Sequence, residues 1–196
     1  MQFRSRKCDA IFWAALRLFA EQGFDKTSVP QIRKRAGVSI HTFYKYFPSK
    51  ELLANELYRE LRVELDDSLS FVASDRVSYR RQFHELWTRM AMFAHERVEV
   101  FLFLEIWPHA PYVDRRNREL SIVPNGLIRL LEKMQRANAC RRAPTILLAA
   151  IVWGALVQLL KLRAQGTVPL PTESIKALED ACWNSICAQD GSKQSE

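Results

Sequence analysis

Two consecutive short segments near the N-terminus each begin and end with residues that typically start and stop a helix. These signals strongly restrict the fold that the segments can adopt. Either Thr27 or Ser28 can cap a helix whose first turn tolerates Pro30, and Gly37 can end that helix. Ser39 can then cap a second helix, which Pro48 stops. Two helices joined by a tight turn that contains glycine form a helix-turn-helix, and we predict this motif here.

The second helix of the pair, predicted over residues 40–47, has two chemically different sides. At about 100° per residue, Phe43 and Phe47 share one side with Ile40 and Tyr44. The opposite side carries hydrogen-bonding side chains and no acid: His41, Thr42, Lys45 and Tyr46. We expect the two phenylalanines to pack into a small three-helix core and the polar side to stay free for a partner.

The excess positive charge of the chain is confined to its first quarter. Residues 1–50 hold ten Lys or Arg against three Asp or Glu, whereas acids and bases are equal in number over residues 51–196. The net charge of +7 therefore belongs to the N-terminal end. A basic end on a neutral body indicates a polyanionic partner, and a helix-turn-helix places its second helix in the major groove of double-stranded DNA. The alternative is a small helical bundle with a polar face.

The rest of the chain predicts further helices, so the expected fold class is all-α. The sequence has only 6 Gly and 8 Pro and shows no strand alternation or internal repeat. Periodicity and breaks predict helices over residues 9–22, 49–71, 78–95, 97–107, 115–137, 145–165 and 172–188. We expect a three-helix DNA-binding head in residues 4–64, a helical-bundle body in residues 65–188 and a disordered tail in residues 189–196.

Other classes of protein are disfavoured by what the sequence lacks. No N-terminal stretch resembles a signal peptide, and the longest apolar run, residues 146–160, is interrupted by Gln158 and falls short of a bilayer span. We therefore expect a buried helix there, a cytoplasmic location and no membrane partner. The four cysteines form no C-x-x-C pair and are expected to be reduced thiols, so no metal or cofactor is predicted. Because no catalytic motif is present, we do not expect an enzyme.

Five short motifs connect the N-terminal stretch to a known family. They are "LFAEQGF", "TSV", "AGVS", "TFYKYF" and "SKE", in the order and at the spacing found there, within residues 8–57. In these motifs the chain closely resembles the TetR family of bacterial transcriptional regulators. The resemblance implies a cytoplasmic, homodimeric repressor with a helix-turn-helix over residues 28–47, which binds a palindromic operator and is released by a small-molecule effector. An effector-independent DNA-binding regulator or an activator is the alternative.

The resemblance also implies DNA contacts at individual positions. The candidate DNA-binding residues are Arg33, Ser39, His41, Thr42, Tyr44, Lys45, Tyr46 and Lys50. Lys50 matches a lysine that contacts phosphate, and Arg33 lies on the helix that would cross the DNA backbone. Many relatives carry glycine at the position of His41, so this histidine could read a base or touch a phosphate.

The middle of the body is rich in large apolar side chains, as expected of a pocket for a small apolar or amphipathic effector. The candidate pocket residues are His84, Trp87, Met90, Phe101, Glu105 and Trp107. The alternative is that the rings form ordinary core, and that the histidine and glutamate are exposed or paired with neighbours. If an effector binds, the helix over residues 49–71 is the expected link between body and head.

Two apolar stripes in the last two helices predict the face of a homodimer. The candidate interface residues are Ala150, Trp153, Gly154, Val157, Leu178 and Cys182. Gly154 would allow two helices to approach closely. The alternative is that the stripes only fill the core of one protomer, because helical periodicity does not distinguish core from interface.

Overall fold

The computed structural model describes residues 5–70, 76–120, 123–164 and 172–187, whose regular structure is helical apart from one isolated β-bridge. The helices are α1 (Arg6–Gln22), α2 (Val29–Ala36), α3 (Ile40–Tyr46), α4 (Lys50–Ser68), α5 (Tyr79–Glu96), α6 (Val98–Ile106), α7 (Arg115–Arg118), α8 (Asn125–Arg136), α9 (Thr145–Ala164) and α10 (Thr172–Ile186). A 3-10 turn, Trp107–His109, follows α6. The all-α prediction is confirmed. The predicted tail, residues 189–196, lies outside the described residues.

One predicted helix, over residues 115–137, is wrong because the chain forms two helices there. Asp114 caps the short α7 by accepting from the backbone N–H of Asn117. Pro124 then takes the N-cap position of α8 with an extended ψ of 137°. Proline has no N–H to donate and disfavours a helical conformation in the residue before it, so a regular helix does not run through position 124.

The described residues form two compact units, and each unit draws on two separate stretches of chain. The first unit consists of the described residues within 1–65 and 97–122, and the second of those within 66–96 and 123–196. The first unit therefore adds α6 and α7 to the N-terminal helices. This return of the chain was not predicted, and the division into domains at residues 64 and 65 stays a prediction.

The core of the first unit is built largely from aromatic rings. Phe12 of α1 lies against Phe47, with ring centroids 5.2 Å apart, and Phe19 stacks on Phe103 of α6 at 5.8 Å. Phe43 of α3 is completely buried. Burying a side chain of this size contributes about 1.5–3 kcal/mol, so these rings hold the short α3 in place.

The second unit packs α5, α8, α9 and α10 around an apolar core. Phe83, Leu86 and Trp87 of α5 are buried in it. Gly126 of α8 lies so close to the backbone just after α4 that an added Cβ would be 3.0 Å from the carbonyl oxygen of Leu69. Glycine at this position therefore allows α8 to approach the backbone.

α9 is an apolar helix with one buried side and one exposed side. Its buried residues include Leu148, Val152 and Leu156, and its exposed residues include Ile146, Leu147 and Ile151. The window Thr145–Leu162 has a mean hydropathy of 2.0 and is 39% buried; by length and composition alone it could cross a membrane. The helix predicted over residues 145–165 is confirmed, but the expectation that it is buried is right for only one of its two sides, because the other side does not face the core of the unit.

Candidate nucleic-acid interface

The turn between α2 and α3 is fixed by local hydrogen bonds. Ser28 and Gln31 form a reciprocal capping box, in which the Ser28 N–H donates to Gln31 Oε1 at 2.7 Å. Gly37 adopts the left-handed conformation, with φ 66° and ψ 32°, and the N–H of Val38 donates to the carbonyl of Arg33 at 3.0 Å. This pattern is the Schellman ending of a helix, which turns the chain sharply. The direction of α3 is therefore set by residues that immediately precede it.

Two of the predicted DNA-contact residues begin α3. The Oγ of Ser39 accepts from the backbone N–H of Thr42 at 3.0 Å and lies 2.9 Å from the Thr42 hydroxyl oxygen. Ser39 is exposed and Thr42 is half-buried. The two side chains therefore order the first turn of α3.

The two sides of α3 differ largely as its sequence predicts. Phe43 and Phe47 are buried, whereas His41 and Lys45 are exposed. Ile40 and Tyr44, which share that sector of the helix with the two phenylalanines, are 44% and 51% exposed. The Tyr44 ring packs edge-on against Phe43, with centroids 5.4 Å apart. Its hydroxyl is therefore free to point outward, as the resemblance to the family requires.

Lys50, a predicted phosphate contact, is already held within the first unit. Its ammonium donates to the backbone carbonyls of Phe24 and Thr27, each at 2.8 Å, and lies 4.0 Å from the centre of the Phe24 ring. Two of its three N–H groups are used in this way. Lys50 therefore ties the start of α4 to the loop that precedes α2.

Tyr46 connects α3 to the N-terminus of α1, a contact that was not predicted from the sequence. The Ser5 hydroxyl donates to the Tyr46 hydroxyl at 2.6 Å. Because α1 begins at Arg6 and not at residue 9, its first turn lies beside the exposed end of α3, and both Arg6 and Lys7 are exposed. The charge count over residues 1–50 included these two cations, but only the Ser5–Tyr46 bond places them at this face. Arg33, on α2, is half-buried.

Three of the six predicted pocket residues lie in the first unit. Phe101, Glu105 and Trp107 are buried there, and the Trp107 ring packs 4.9 Å from Phe24 and 5.7 Å from Phe103. The indole Nε1 of Trp107 is buried and has no hydrogen-bond partner among the described residues. A buried donor without a partner costs about 1–3 kcal/mol, and a group that accepts a hydrogen bond from this N–H would remove that cost.

Tyr58 on α4 is a second buried polar group of this kind, and it was not among the predicted pocket residues. Its hydroxyl has no hydrogen-bond partner among the described residues. Burial raises the pKa of Tyr58; the charge of Arg62 acts against this shift and that of Glu105 adds to it. Arg62 and Glu105 are themselves buried. The first unit therefore buries the polar side chains of Tyr58, Arg62 and Glu105 in addition to its aromatic rings.

The other three predicted pocket residues, His84, Trp87 and Met90, lie on α5 in the second unit. Trp87 and Met90 are buried, and the Nε1 of Trp87 has no partner among the described residues. His84 Nδ1 lies 2.9 Å from Oε2 of the buried Glu179, which also pairs with Arg80. His84 is thus exposed and paired, as the alternative interpretation expected.

The predicted dimer stripe is divided between the surface and the interior of the second unit. Ala150 and Gly154 are exposed and Leu178 is half-buried. Trp153, Val157 and Cys182 are buried within the protomer at 5, 6 and 2% exposure. The exposed apolar residues of α9, namely Ile146, Leu147 and Ile151, were not among those predicted. Helical periodicity marks both sides of such a helix as apolar and does not say which one faces inward.

Two family models cover nearly the whole chain. One, described as bacterial regulatory proteins of the tetR family, matches residues 11–57. The other, described as a tetracyclin repressor-like C-terminal domain, matches residues 58–188.

Within the part of the chain that the structure describes, no group of three or more His, Cys, Asp or Glu could hold a metal ion.

Individual relatives agree with these matches. The chain is 37% identical over 81 residues to YuxN of Bacillus subtilis (strain 168), described as an uncharacterized HTH-type transcriptional regulator; the match covers 39% of this chain but only 28% of that protein. It is similar along its length to the crystal structure of a TetR family transcription regulator from Marinobacter aquaeolei VT8, with TM-score 0.76, 25% identity and coverage of 94% and 97% of the two chains. A tetR-family regulatory protein from Rhodococcus RHA1 shares the fold, with TM-score 0.79, 13% identity and coverage of 95% and 100%.

Proposed function

Since the chain belongs to the tetR family of bacterial regulatory proteins, and is thus a DNA-binding transcription regulator and not an enzyme, we propose that it is a homodimeric repressor of a palindromic operator. We propose further that it works in the bacterial cytoplasm and is released from DNA by a small apolar or amphipathic effector. An effector-independent regulator or an activator is the second candidate.

The observation that carries the DNA-binding role is the exposed side of α3. His41, Tyr44 and Lys45 are exposed above the buried Phe43, and neither α2 nor α3 contains an acidic residue. Lysine and protonated or neutral histidine can donate to the O6 and N7 acceptors of guanine, and a tyrosine hydroxyl can donate to a phosphate. We assign Lys45 to a base, His41 to a base or a nearby phosphate, and Tyr44 to a phosphate.

Thr42, Tyr46 and Lys50 have a different place in this proposal because each is already bonded within the unit. Thr42 retains its methyl group for a thymine contact, and Tyr46 can donate its own hydroxyl hydrogen while it accepts from Ser5. Lys50 keeps one N–H for a phosphate but acts mainly by holding α4 against the loop before α2. Its removal should therefore weaken binding to all DNA alike.

The test is a comparison of specific and non-specific binding by single-lysine variants. An operator is first selected from random-sequence duplexes, and dissociation constants for it and for a scrambled duplex are measured by fluorescence anisotropy across a salt series. Lys45→Ala should weaken operator binding about 5–150-fold, equivalent to about 1–3 kcal/mol, and scrambled DNA far less. Lys50→Ala should weaken both, and Lys176→Ala, an exposed lysine of α10 with the same charge, should weaken neither. Equal losses for Lys45→Ala on the two duplexes would refute the base-reading role.

A homodimer is supported by the exposed apolar side of α9 and by the shortness of α3. One recognition helix of seven residues reads too few base pairs for operator-grade specificity, whereas two copies on a two-fold axis read half-sites about one helical turn or a multiple apart. The aliphatic side chains that α9 exposes for such an interface are Ile146, Leu147 and Ile151. Sedimentation of the protein with a selected palindrome and with a single half-site tests the stoichiometry, and one protomer bound to the full palindrome would count against the dimer.

An effector site is supported by the buried polar atoms of the first unit. Tyr58 and Trp107 each bury a donor without a partner among the described residues, in a unit that also buries Glu105. A ligand with an apolar body and one or two hydrogen-bond acceptors would satisfy such donors. An effector that prefers the weak-binding state by about 100-fold supplies about 2.7 kcal/mol, enough to release an operator in the presence of competing DNA.

The effector proposal is tested by a ligand screen on the protein–operator complex. Compounds that lower operator affinity are then titrated against Tyr58→Phe, which removes one unpaired donor, and against Tyr112→Phe, an exposed tyrosine of the same unit. We expect a weaker response only in Tyr58→Phe. Operator affinity that no compound changes would favour the effector-independent regulator.

A further inference from the structure

Two of the four cysteines face each other in the second unit, although they are far apart in sequence. Cys140 follows α8 and Cys187 follows α10, and the two residues form an isolated antiparallel β-bridge. The N–H of Arg141 donates to the carbonyl of Ile186 at 2.9 Å, and Arg141 Nε donates to the Cys187 carbonyl at 3.2 Å. The bridge therefore has backbone and side-chain support on one side.

The hydrogen-bond pattern defines which kind of bridge pair the cysteines form. The backbone bond joins their neighbours, Arg141 and Ile186, and not the cysteines themselves. Cys140 and Cys187 are thus a non-hydrogen-bonded antiparallel pair, in which Cα atoms lie about 4.5 Å apart and side chains project to the same side. Disulfides are found at Cα separations of about 4.4–6.8 Å, so the backbone need not move far for the sulfurs to join.

The loop that carries Cys140 is held by several further bonds. Asn138 adopts a left-handed conformation with φ 54°, and the N–H of Ala139 donates a hydrogen bond to the carbonyl oxygen of Met134 at 2.8 Å. The side-chain amide of Gln135 donates to the carbonyls of Arg141 and Ala143 at 3.2 and 2.6 Å. This side of the pair is therefore preorganised, which lowers the entropic cost of bringing the sulfurs together.

The two thiols differ in their access to solvent. Cys140 is 3% exposed, whereas Cys187 is half-buried. Burial raises the pKa of both thiols, while the nearby charges of Arg80 and Arg141 act to lower that of Cys187. Cys187 is therefore the thiol that a dissolved oxidant reaches, and its reaction at neutral pH is slow because the thiolate is the nucleophile.

We propose that Cys140 and Cys187 are a redox-modification site that a hydroperoxide oxidises to an intramolecular disulfide. The Cys187 thiolate attacks one oxygen of hydrogen peroxide, which gives a sulfenic acid and one water after proton transfer. The Cys140 thiolate then attacks the Cys187 sulfur, forms the S–S bond and expels hydroxide, which takes up a proton to give a second water. Two thiols lose two electrons and two protons, and one peroxide becomes two waters.

The disulfide would close a long loop that contains α9 and α10, because it joins residues 140 and 187. Cross-links of this length stabilise mainly by restricting the unfolded chain, and for a chain of this size the effect corresponds to a rise in Tm of about 10 °C. In a reducing compartment the two thiols remain reduced, and the disulfide forms only under sustained exposure to an oxidant. This site is independent of the proposed effector and of DNA.

The experiment treats the full-length protein with hydrogen peroxide and then measures intact mass, free thiols and Tm with and without dithiothreitol. Wild type should lose two hydrogens, about 2 Da, retain two of its four alkylatable thiols, and gain about 10 °C in Tm, all reversed by dithiothreitol. Cys140→Ser and Cys187→Ser should show none of these changes. Cys182→Ser is the matched control, because Cys182 is buried on α10 with burial raising its pKa to about 11, and it should behave as wild type.

Other outcomes would overturn the proposal. They are a covalent dimer joined through Cys187, addition of oxygen to Cys187 while Cys140 stays alkylatable, or four free thiols after prolonged treatment. Measurements on wild type alone decide the matter even if a serine variant fails to fold, since thiol count and mass show whether one intramolecular disulfide forms and a peptide map shows which cysteines it joins. A peptide map under non-reducing conditions then confirms whether residues 140 and 187 are joined.

Discussion

α3 and α9 each present a side that the rest of their unit leaves uncovered, but the chemistry of the two sides is opposite. α3 exposes His41 and Lys45 above buried phenylalanines, whereas α9 exposes Ile146, Leu147 and Ile151. Donors without neighbouring acids suit an anionic groove, and aliphatic side chains gain free energy only when another apolar surface removes them from water. The residue types at exposed positions therefore indicate the partner, which helical periodicity alone cannot do.

The two sides should also respond oppositely to salt. Contacts between cations and phosphates release counterions, so DNA binding through α3 weakens steeply as the salt concentration rises. Association through an aliphatic side depends little on screening and is favoured by excluded salts such as sulfate. Operator binding and self-association can thus be separated in one titration.

The largest expected effect comes from the buried Phe43 side chain of α3. Phe43→Ala removes a completely buried ring and should lower the free energy of unfolding by about 3–5 kcal/mol, with loss of DNA binding. Tyr44→Ala, at the next position, removes a ring that is 51% exposed and should cost about 1 kcal/mol or less. Denaturant unfolding of both variants measures this difference. Similar losses of unfolding free energy in the two variants would mean that burial of Phe43 is not what anchors α3.

The exposed side of α9 gives the next largest effect. Ile151→Glu places a charge on the proposed dimer face and should weaken self-association by about 2–4 kcal/mol, because each interface contains the change twice. Val63→Glu, on α4 and 60% exposed, is the control and should leave association unchanged. Sedimentation velocity over a dilution series provides the measurement. A dimer that tolerates Ile151→Glu would exclude this side of α9 as the interface.

The same comparison explains how much of the molecule its sequence could predict. The helix-turn-helix was predictable because its signals are local: Ser28, Gly37 and Ser39 each act on backbone groups within a few residues. The role of Lys50 was not, because its partners, Phe24 and Thr27, come from a loop more than twenty residues away. Resemblance to a family supplied the type of contact but not this internal bond.

The C-terminal helices show more clearly what cannot be predicted from the sequence. Trp153 and Val157 carry the same apolar signal as Ile151, yet the first two are buried in the protomer and the third is exposed. Only the packing of α9 against its unit separates them. Cys140 and Cys187 likewise lack any spacing motif, and the bridge that pairs them exists only after α8 and α10 have folded together.

Gly37 tests the turn that directs α3. Its φ of 66° is in the left-handed region, where a Cβ costs roughly 1–2 kcal/mol, so Gly37→Ala should lower the free energy of unfolding by that amount. No atom lies within 4 Å of an added Cβ, so the cost is conformational and not a clash. Gly37→Asn should lose less, because asparagine tolerates this conformation. Equal losses in the two variants, measured by urea unfolding, would contradict the conformational explanation.

Gly154 tests the other side of the comparison, with an effect of opposite sign and smaller size. It lies inside α9, is exposed, and an added Cβ would meet nothing within 4 Å in the protomer. Alanine there should stabilise the isolated protomer by about 0.5–1 kcal/mol, since glycine is a poor helix former. If two α9 helices approach closely at this glycine, the same methyl group weakens the dimer. Unfolding of Gly154→Ala in the Ile151→Glu background measures the first effect, and sedimentation of the single variant measures the second; a more stable protomer with an unchanged dimer would place the close approach elsewhere on α9.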